Sequence, residues 1–124
     1  MAKKEVKILI VEDEQPIAKA LQLKLEHVGY KADIAQDGQE ALDILAKDND
    51  YKLMILDLVM PRKDGFEVLE ELSKKKKKPA VLVATNLSQQ EDLARAKKLG
   101  AKDYFVKADT PITDLVSQIE KNLK

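Results

Sequence analysis

Two continuous apolar runs constrain the fold of this chain more than any other feature. They occupy residues 8–11 and 53–56, and acidic residues follow each of them directly. Apolar runs without alternation are typical of strands covered on both faces, as in a parallel sheet, where ligands bind outside the carboxyl ends of the strands. We therefore expect the chemistry of this chain at the three acids that follow the runs, Glu12, Asp13 and Asp57.

The expected proximity of three acids points to a bound cation. Two carboxylates held close together repel each other by on the order of a few kcal/mol at a protein-like dielectric, so the cluster is tolerable mainly when a cation neutralises it. Carboxylate oxygens are ligands that Mg²⁺ prefers. The sequence therefore predicts a magnesium site at Glu12, Asp13 and Asp57.

Length and composition limit the class of protein. The chain has 124 residues, of which 44% are hydrophobic and 35% are charged, and this suits a single globular domain across residues 1–124. The formal net charge of +0 lacks the basic excess that is typical of nucleic-acid-binding domains, so we expect no direct nucleic-acid partner. The absence of cysteine excludes disulfides, thiolate metal sites and a cysteine nucleophile.

No segment of the sequence has the pattern of a membrane span or a secretion signal. No apolar stretch approaches the ~18 residues that cross a bilayer, and residues 1–5 lead into a strand-like segment without a signal-peptide core. We expect a cytoplasmic protein with no membrane partner.

Five strand-like runs alternate with five helix-like segments, which predicts a parallel α/β sheet. The predicted strands are residues 6–11, 31–35, 51–56, 80–84 and 103–106. The second run is weakly apolar, and we place it at an edge of the sheet. An apolar stripe in the first helix, formed by Ile17, Leu21, Leu25 and Val28, is followed by Gly29 as the expected helix stop.

Local signals mark where the other helices begin. Residues 37–40, 64–67 and 88–91 each place a capping side chain three positions before a glutamate, which is the pattern of a capping box. The last helix is predicted to start with Pro111 at its first position. The apolar stripe of this helix is expected to comprise Ile112, Leu115, Val116, Ile119 and Leu123. The five lysines at residues 74–78 are interpreted as a solvated turn, with binding of phosphate or of an acidic partner as the alternative.

Two further polar residues follow strand-like runs. Thr85 comes after the fourth run and Lys107 after the fifth. Either residue alone is more often a surface side chain. Together with the acids, however, they give four of the five strands an end group that is useful around a phosphoryl group: carboxylates for a metal, a nucleophilic oxygen, a hydroxyl and an ammonium.

At these residues the chain resembles the receiver domains of two-component response regulators, over nearly its whole length. The matching segments are residues 10–14 (IVEDE), 56–65 (LDLVMPRKDG), 83–85 (VAT) and 100–107 (GAKDYFVK). The resemblance implies a flavodoxin-like (βα)5 fold with a five-stranded parallel sheet in the order 2-1-3-4-5. It also implies a signalling switch whose phosphoryl donor is a sensor histidine kinase or a histidine phosphotransfer protein.

The resemblance assigns a role to each site residue. Asp57 is the expected phosphoacceptor, and Lys107 pairs with it before the reaction and with a phosphoryl oxygen afterwards. Asp13 is expected to bind Mg²⁺ directly, Glu12 through a water molecule, and Val59 through its backbone carbonyl.

Two residues are expected to carry the conformational switch. Thr85 moves to hydrogen-bond the phosphoryl group, and Tyr104 occupies the aromatic switch position and turns inward into the vacated space. The output surface is expected to comprise the fourth helix, the fifth strand and the fifth helix. Through it, a monomer or a phosphorylation-dependent dimer would contact a downstream protein.

The sequence departs from the family pattern at several positions. Glu12 stands where Asp is frequent, and Ala108 stands where Pro usually follows the active-site lysine. Because a non-proline cis bond costs ~2.5–4 kcal/mol, we expect a trans bond or a rearranged loop there. Val59 and Leu87 are apolar and cannot orient a hydrolytic water, which predicts a long-lived phosphoryl group on Asp57.

Two other functions fit parts of the pattern. A Mg²⁺-dependent small-molecule phosphatase or phosphotransferase would also form an aspartyl-phosphate. Such haloacid-dehalogenase-like enzymes, however, have a second Asp two residues after the nucleophile, where this chain has Val59. Flavin binding on the same fold is disfavoured because the acidic residues 12–14 replace the Ser, Thr and Gly donors that a flavin phosphate needs.

Overall fold

Five parallel strands form the centre of the computed structural model, which describes residues 6–48, 50–60, 63–86, 90–107 and 110–123. The strands are β1 (Lys7–Val11), β2 (Lys31–Ala35), β3 (Tyr51–Asp57), β4 (Ala80–Thr85) and β5 (Asp103–Val106). Their order in the sheet is β2-β1-β3-β4-β5, and all neighbours pair in parallel. This order and the edge position of β2 confirm the predicted fold.

A helix follows each strand. The helices are α1 (Gln15–His27), α2 (Gly38–Lys47), α3 (Gly65–Ser73), α4 (Gln90–Lys98) and α5 (Ile112–Asn122). One apolar cluster joins the buried residues of α1 and α5 to the sheet, and a second cluster joins those of α2, α3 and α4. The sheet is therefore covered on both faces, as the apolar runs predicted. Among the described residues, no helix has the length and apolar character to cross a membrane.

The alternation of side chains along β1 shows why its apolar run is continuous. Ile8 and Ile10 pack into the cluster with α1 and α5, whereas Leu9 and Val11 pack into the other cluster. All four side chains are at most 1% exposed. Complete burial of each such side chain is worth ~1.5–3 kcal/mol, so both faces contribute to stability.

The helix starts agree only in part with the predicted caps. Asp64 and Glu67 form the complete capping box. Asp37 accepts the amide of Glu40 at 2.8 Å, but the carboxylate of Glu40 accepts the amide of Gln36 at 3.1 Å. The third predicted box, at residues 88–91, begins outside the described residues.

Four predicted boundaries were wrong by one residue. β1 begins at Lys7, one position later than expected. β3 and β4 each extend one position further than expected, so Asp57 and Thr85 are the last residues of their strands. Pro111 is the N-cap of α5 and not its first helical residue. Gly29, with a φ of 105°, follows the end of α1 as predicted.

Candidate functional site

The carboxyl ends of four adjacent strands bring the predicted site residues to one edge of the sheet. Asp57 ends β3 and Thr85 ends β4, while Glu12 and Lys107 directly follow β1 and β5. The amide of Glu12 donates to the carbonyl of Ala35 at 3.0 Å, which continues the β1–β2 pairing beyond the end of β1. We call this region the carboxyl edge.

The three predicted metal ligands lie together at the carboxyl edge. Glu12, Asp13 and Asp57 each offer a carboxylate oxygen, and these oxygens lie within 4.8 Å of one another. Glu12 and Asp57 are only 4% and 5% exposed, whereas Asp13 is exposed. Oxygen ligands that face solvent on one side suit Mg²⁺, which usually retains several waters. The donor set therefore fits the predicted ion.

Lys107 bridges the two buried carboxylates. Its Nζ lies 2.9 Å from Asp57 Oδ2 and 2.5 Å from Glu12 Oε1, and its side chain is 11% exposed. The expected contact with Asp57 is thus present. The direct contact with Glu12 was not predicted, because we expected Glu12 to act only through a water molecule. The longer side chain of Glu12, visible in the sequence, was the signal for this contact.

Burial, and the contacts of Glu12 and Lys107 with each other and with Asp57, change the pKa values of Glu12 and Lys107. Burial raises the pKa of Glu12 to about 7, the negative charge of Asp57 acts in the same direction, and the hydrogen bond from Lys107 opposes them. Burial by itself would lower the pKa of Lys107, but its hydrogen bonds to Glu12 and Asp57 raise it above the usual value. A divalent cation between the carboxylates would favour the ionised form of Glu12.

Val59 lies in a bend, two residues after Asp57. Its backbone amide donates to Asp57 Oδ1 at 3.2 Å, and its side chain is among the exposed large apolar groups, at 62%. The amide therefore helps to hold the Asp57 carboxylate in place. The role of the Val59 carbonyl as a metal ligand stays a prediction.

Thr85 and Tyr104 lie on the same face of the sheet, in neighbouring strands. Along β4, Leu82 and Ala84 belong to the cluster with α1 and α5, whereas Val83 belongs to the other cluster. Because side chains alternate along a strand, Thr85 shares the face of Val83. Tyr104 pairs with Val83 in the parallel register and therefore shares this face too. Thr85 is fully buried and Tyr104 is 41% exposed, so the predicted switch pair consists of an interior hydroxyl and an outward ring.

Two glycines allow helices to approach the site closely. A Cβ on Gly65 would lie 2.6 Å from the carbonyl oxygen of Asp57 and 2.7 Å from Leu58 Cα. A Cβ on Gly38 would lie 2.2 Å from the carbonyl oxygen of Lys63. The start of α3 therefore packs directly against the backbone at Asp57 and Leu58, and the start of α2 packs against the backbone at Lys63, in the loop between β3 and α3.

An apolar groove of about 340 Å³ adjoins the carboxyl edge between α1 and α5. Its walls include Pro16, Ile17 and Ile112, and it ends at Glu12 and Lys107. Ile17 and Ile112 were predicted to belong to the buried stripes of their helices. They are instead 42% and 39% exposed, because each lies in the first turn of its helix, at the rim of the groove.

The fold and the acid–lysine site define a class of flavodoxin-like domains with an aspartate at the carboxyl end of β3. Residues 8–120 match the family model described as the response regulator receiver domain, and the chain belongs to this family. Receiver domains are signalling switches, and response regulators interact with histidine kinases and with downstream targets.

Individual relatives agree with this assignment. The chain is 37% identical over 118 residues to the response regulator ArlR of Staphylococcus saprophyticus, which covers 95% of this chain and 52% of that protein. The chain spans about half the length of the curated relatives that it matches. The receiver domain of the Francisella response regulator 1452 is 30% identical, with a TM-score of 0.86 and coverage of 95% and 96%. The chemotaxis protein CheY4 of Vibrio cholerae is 26% identical, with a TM-score of 0.86 and coverage of 94% and 97%.

Proposed function

We propose that this chain is a phosphorylation-activated switch in which Asp57 accepts a phosphoryl group from a histidine kinase or a histidine phosphotransfer protein. One observation carries the proposal: the Asp57 carboxylate is held by Lys107 at 2.9 Å and lies within 4.8 Å of two further carboxylates. This arrangement combines a nucleophilic oxygen, a positive charge and an oxygen-rich metal site, which are the groups that phosphoryl transfer requires.

The residues at the site divide the work of the transfer. A carboxylate oxygen of Asp57 attacks the phosphorus of the donor phosphohistidine, the P–N bond breaks, and the imidazole of the donor leaves. Glu12, Asp13, Asp57 and the Val59 carbonyl would hold Mg²⁺, which supplies charge neutralisation for the phosphoryl oxygens. Lys107 contacts Asp57 before the reaction. Afterwards it contacts an oxygen of the phosphoryl group and offsets part of its negative charge.

The switch follows from the change of charge at Asp57. A phosphoryl group carries about −1.5 to −2 charges and three strong acceptor oxygens. Thr85 directly follows Ala84, which is the register partner of Asp57 in β4. The Thr85 hydroxyl moves to donate a hydrogen bond to one of the phosphoryl oxygens. Tyr104 then turns inward on the same face, which alters the surface of α4, β5 and α5. This surface contacts the downstream protein, either as a monomer or as a phosphorylation-dependent dimer.

The phosphodonor must cover the carboxyl edge, because its histidine has to reach Asp57. Among the described residues, the exposed large apolar side chains beside this site are those of Ile17, Val59 and Ile112. Ile17 and Ile112 flank the groove that ends at Lys107, and they provide the apolar contact for the donor.

Phosphotransfer rates test this donor contact. Histidine kinases from a purified panel that label the wild type would label an Ile17→Ser/Ile112→Ser variant at least about tenfold more slowly, since the two serines would remove apolar area that the contact buries. Labelling by acetyl phosphate would be unchanged. Leu23→Ser is the matched control, because Leu23 is 66% exposed on α1 but outside the groove. Equal kinase rates for all three proteins would contradict this docking site.

The surroundings of Asp57 also bear on the lifetime of the phosphoryl group. The apolar, exposed Val59 has no group that can orient a hydrolytic water, and Leu87, the second residue invoked for this hypothesis, lies outside the described residues. We expect slow autodephosphorylation, and a Val59→Asn variant that gains a hydrogen-bonding group would shorten the lifetime. Decay at the rate of a chemotaxis-type regulator in the wild type, without an added phosphatase, would overturn this expectation.

Intact-mass spectrometry tests the main proposal. After incubation with Mg²⁺ and acetyl phosphate, the wild type should carry one phosphoryl adduct. Asp57→Asn should carry none, and neither should the wild type without Mg²⁺. An adduct that persists on Asp57→Asn would show that Asp57 is not the acceptor. The small-molecule phosphatase alternative predicts turnover of p-nitrophenyl phosphate, which is unexpected here because the position of its general acid is Val59.

A further inference from the structure

The lysines at the end of the sheet opposite to the carboxyl edge form a second charged region that the switch does not use. Lys74–Lys78 follow the end of α3, and all five are exposed. Lys52, at the start of β3, is also exposed and lines a shallow pocket of about 250 Å³ together with Lys77 and Lys78. We call Lys52 and residues 74–78 the lysine cluster.

The lysine cluster carries a large excess of positive charge. Asp50 lines the same pocket and pairs with Lys77 at 3.3 Å. Asp48 pairs with Lys7 and also interacts with the charge of Lys77. Among the described residues, no carboxylate forms an ion pair with Lys75, Lys76 or Lys78. These three ammonium groups are therefore available to an anionic partner.

The acids of the carboxyl edge are too far away to neutralise this charge. β3 runs from Tyr51, in the pocket, to Asp57, at the site. At ~3.3 Å per residue its two ends are about 20 Å apart. The Debye length is about 8 Å at physiological ionic strength, so the two ends are electrostatically separate. The net charge of +0 for the whole chain thus conceals a basic pole.

The chemistry of the lysine cluster favours one class of partner. A protein interface usually centres on buried aromatic or arginine anchors. In the part of the chain that the structure describes, the exposed large apolar residues all lie outside the cluster; they are Ile17, Leu23, Val59, Tyr104 and Ile112. Base recognition relies on bidentate arginines, and single-stranded binding relies on exposed aromatic platforms. The cluster consists of lysines, which act as hydrated point charges. An anionic phospholipid surface attracts each lysine that lies close to it, so a cluster of six lysines suits a membrane that contains such lipids.

The sequence predicts no membrane partner because it lacks a membrane-spanning stretch, but binding to a membrane surface needs no such stretch. We propose that the lysine cluster binds the surface of anionic phospholipid membranes. In this orientation the carboxyl edge faces away from the lipid, so Asp57 stays accessible to a phosphodonor. Binding depends on charge and not on insertion, because no exposed large apolar side chain belongs to the cluster. It is therefore salt-sensitive and independent of phosphorylation.

Co-sedimentation of the full chain with vesicles tests the proposal. The wild type should bind phosphatidylcholine vesicles that contain phosphatidylserine at least about tenfold more strongly than vesicles of phosphatidylcholine alone. The difference should largely disappear when the salt concentration rises from about 0.1 M to about 0.5 M. Equal binding to both kinds of vesicle would overturn the proposal.

Substitutions locate the binding to the cluster. Lys75→Gln/Lys76→Gln/Lys78→Gln should weaken binding by about tenfold or more, since each lysine contributes about fivefold near an anionic surface. The matched variant Lys75→Arg/Lys76→Arg/Lys78→Arg keeps the charge and should bind within about twofold of the wild type. Circular dichroism and acetyl phosphate labelling should be unchanged in both variants, which separates this test from that of the switch.

Two results of the substitution experiment would contradict the proposal. Wild-type binding by the glutamine variant would exclude the lysine cluster as the binding surface. Tighter binding of a labelled DNA duplex than of the vesicles, lost in the glutamine variant, would assign the cluster to nucleic acid instead.

Discussion

The two ends of the sheet use the same kinds of charged residue in opposite ways. At the carboxyl edge, Lys107 is 11% exposed and contacts two buried carboxylates. At the lysine cluster, Lys77 pairs with Asp50, and their side chains are 71% and 75% exposed. Exposed ion pairs are worth ~0–1 kcal/mol, whereas breaking a buried pair costs several kcal/mol. Burial therefore decides whether a lysine–carboxylate contact controls local chemistry or only adds charge to a surface.

The largest difference between the two ends should come from removal of the buried ammonium. Lys107→Met should lower the free energy of unfolding by about 3 kcal/mol at alkaline pH without Mg²⁺, because it leaves the buried carboxylates of Glu12 and Asp57 without a counter-charge. Urea unfolding followed by circular dichroism measures this loss. Addition of Mg²⁺ should restore part of the stability. A loss below about 0.5 kcal/mol would show that the carboxyl edge behaves like an ordinary surface.

Two glycine substitutions test how tightly each end is packed. Gly65→Ala should cost about 2–3 kcal/mol, since its Cβ would lie 2.6 Å from the carbonyl oxygen of Asp57. Gly100→Ala, just beyond the end of α4, should cost about 1 kcal/mol: it places a Cβ at a φ of +116° but meets no atom within 4 Å. Thermal unfolding of both variants gives the comparison. If the two variants lose the same free energy of unfolding, the backbone conformation of the glycines, and not a close contact at Asp57, determines the effect of both substitutions.

The pH dependence of stability should also depend on the carboxyl edge. The folded pKa of Glu12 is about 7, above its ordinary value of 4.5, so the folded state holds this proton more tightly than the unfolded state. The resulting stabilisation is complete below about pH 4.5 and is lost as the pH rises through about 7. The Glu12→Gln variant has no titrating carboxyl at this position, so its free energy of unfolding does not fall in this way. Between about pH 4.5 and about pH 7 its free energy of unfolding should rise by about 2 kcal/mol relative to that of the wild type. Urea unfolding of both proteins across the range, without Mg²⁺, measures the change, and a constant difference would contradict it.

The smallest effect is expected at the exposed pair. Lys77→Met should change the free energy of unfolding by less than about 0.5 kcal/mol, because Lys77 and Asp50 remain hydrated and are screened by salt. The same urea experiment as for Lys107→Met gives a direct comparison of two lysine substitutions. A change as large as that of Lys107→Met would remove the distinction between the two ends.

The fold followed from short-range signals in the sequence. The apolar runs predicted the five strands, and the weak second run indicated an edge strand. The order of the strands was implied by the family resemblance. The predicted ends of β3 and β4 were one residue short, because a polar residue was taken to stop a strand. Asp57 and Thr85 can end their strands because backbone pairing continues wherever a neighbouring strand is present.

The site was predictable in its membership but not in its contacts. The acids and Lys107 could be grouped because parallel strands end at one edge. The direct contact of Lys107 with Glu12, in addition to that with Asp57, depends on how the side chains are buried and packed, which the sequence does not show. The exposure of Ile17 and Ile112 was missed for a related reason. An apolar stripe indicates which face of a helix points inward, but not whether its first turn extends beyond the core.

The alternation along β4 makes the switch intolerant of changes in strand length. Ala84 faces the cluster of α1 and α5, and the next residue, Thr85, faces the opposite side of the sheet. Insertion or deletion of a single residue in β4 would reverse every side chain that follows it. Surface loops usually tolerate such length changes. During evolution, the loops of this domain can therefore vary in length while β4 is constrained to a fixed number of residues.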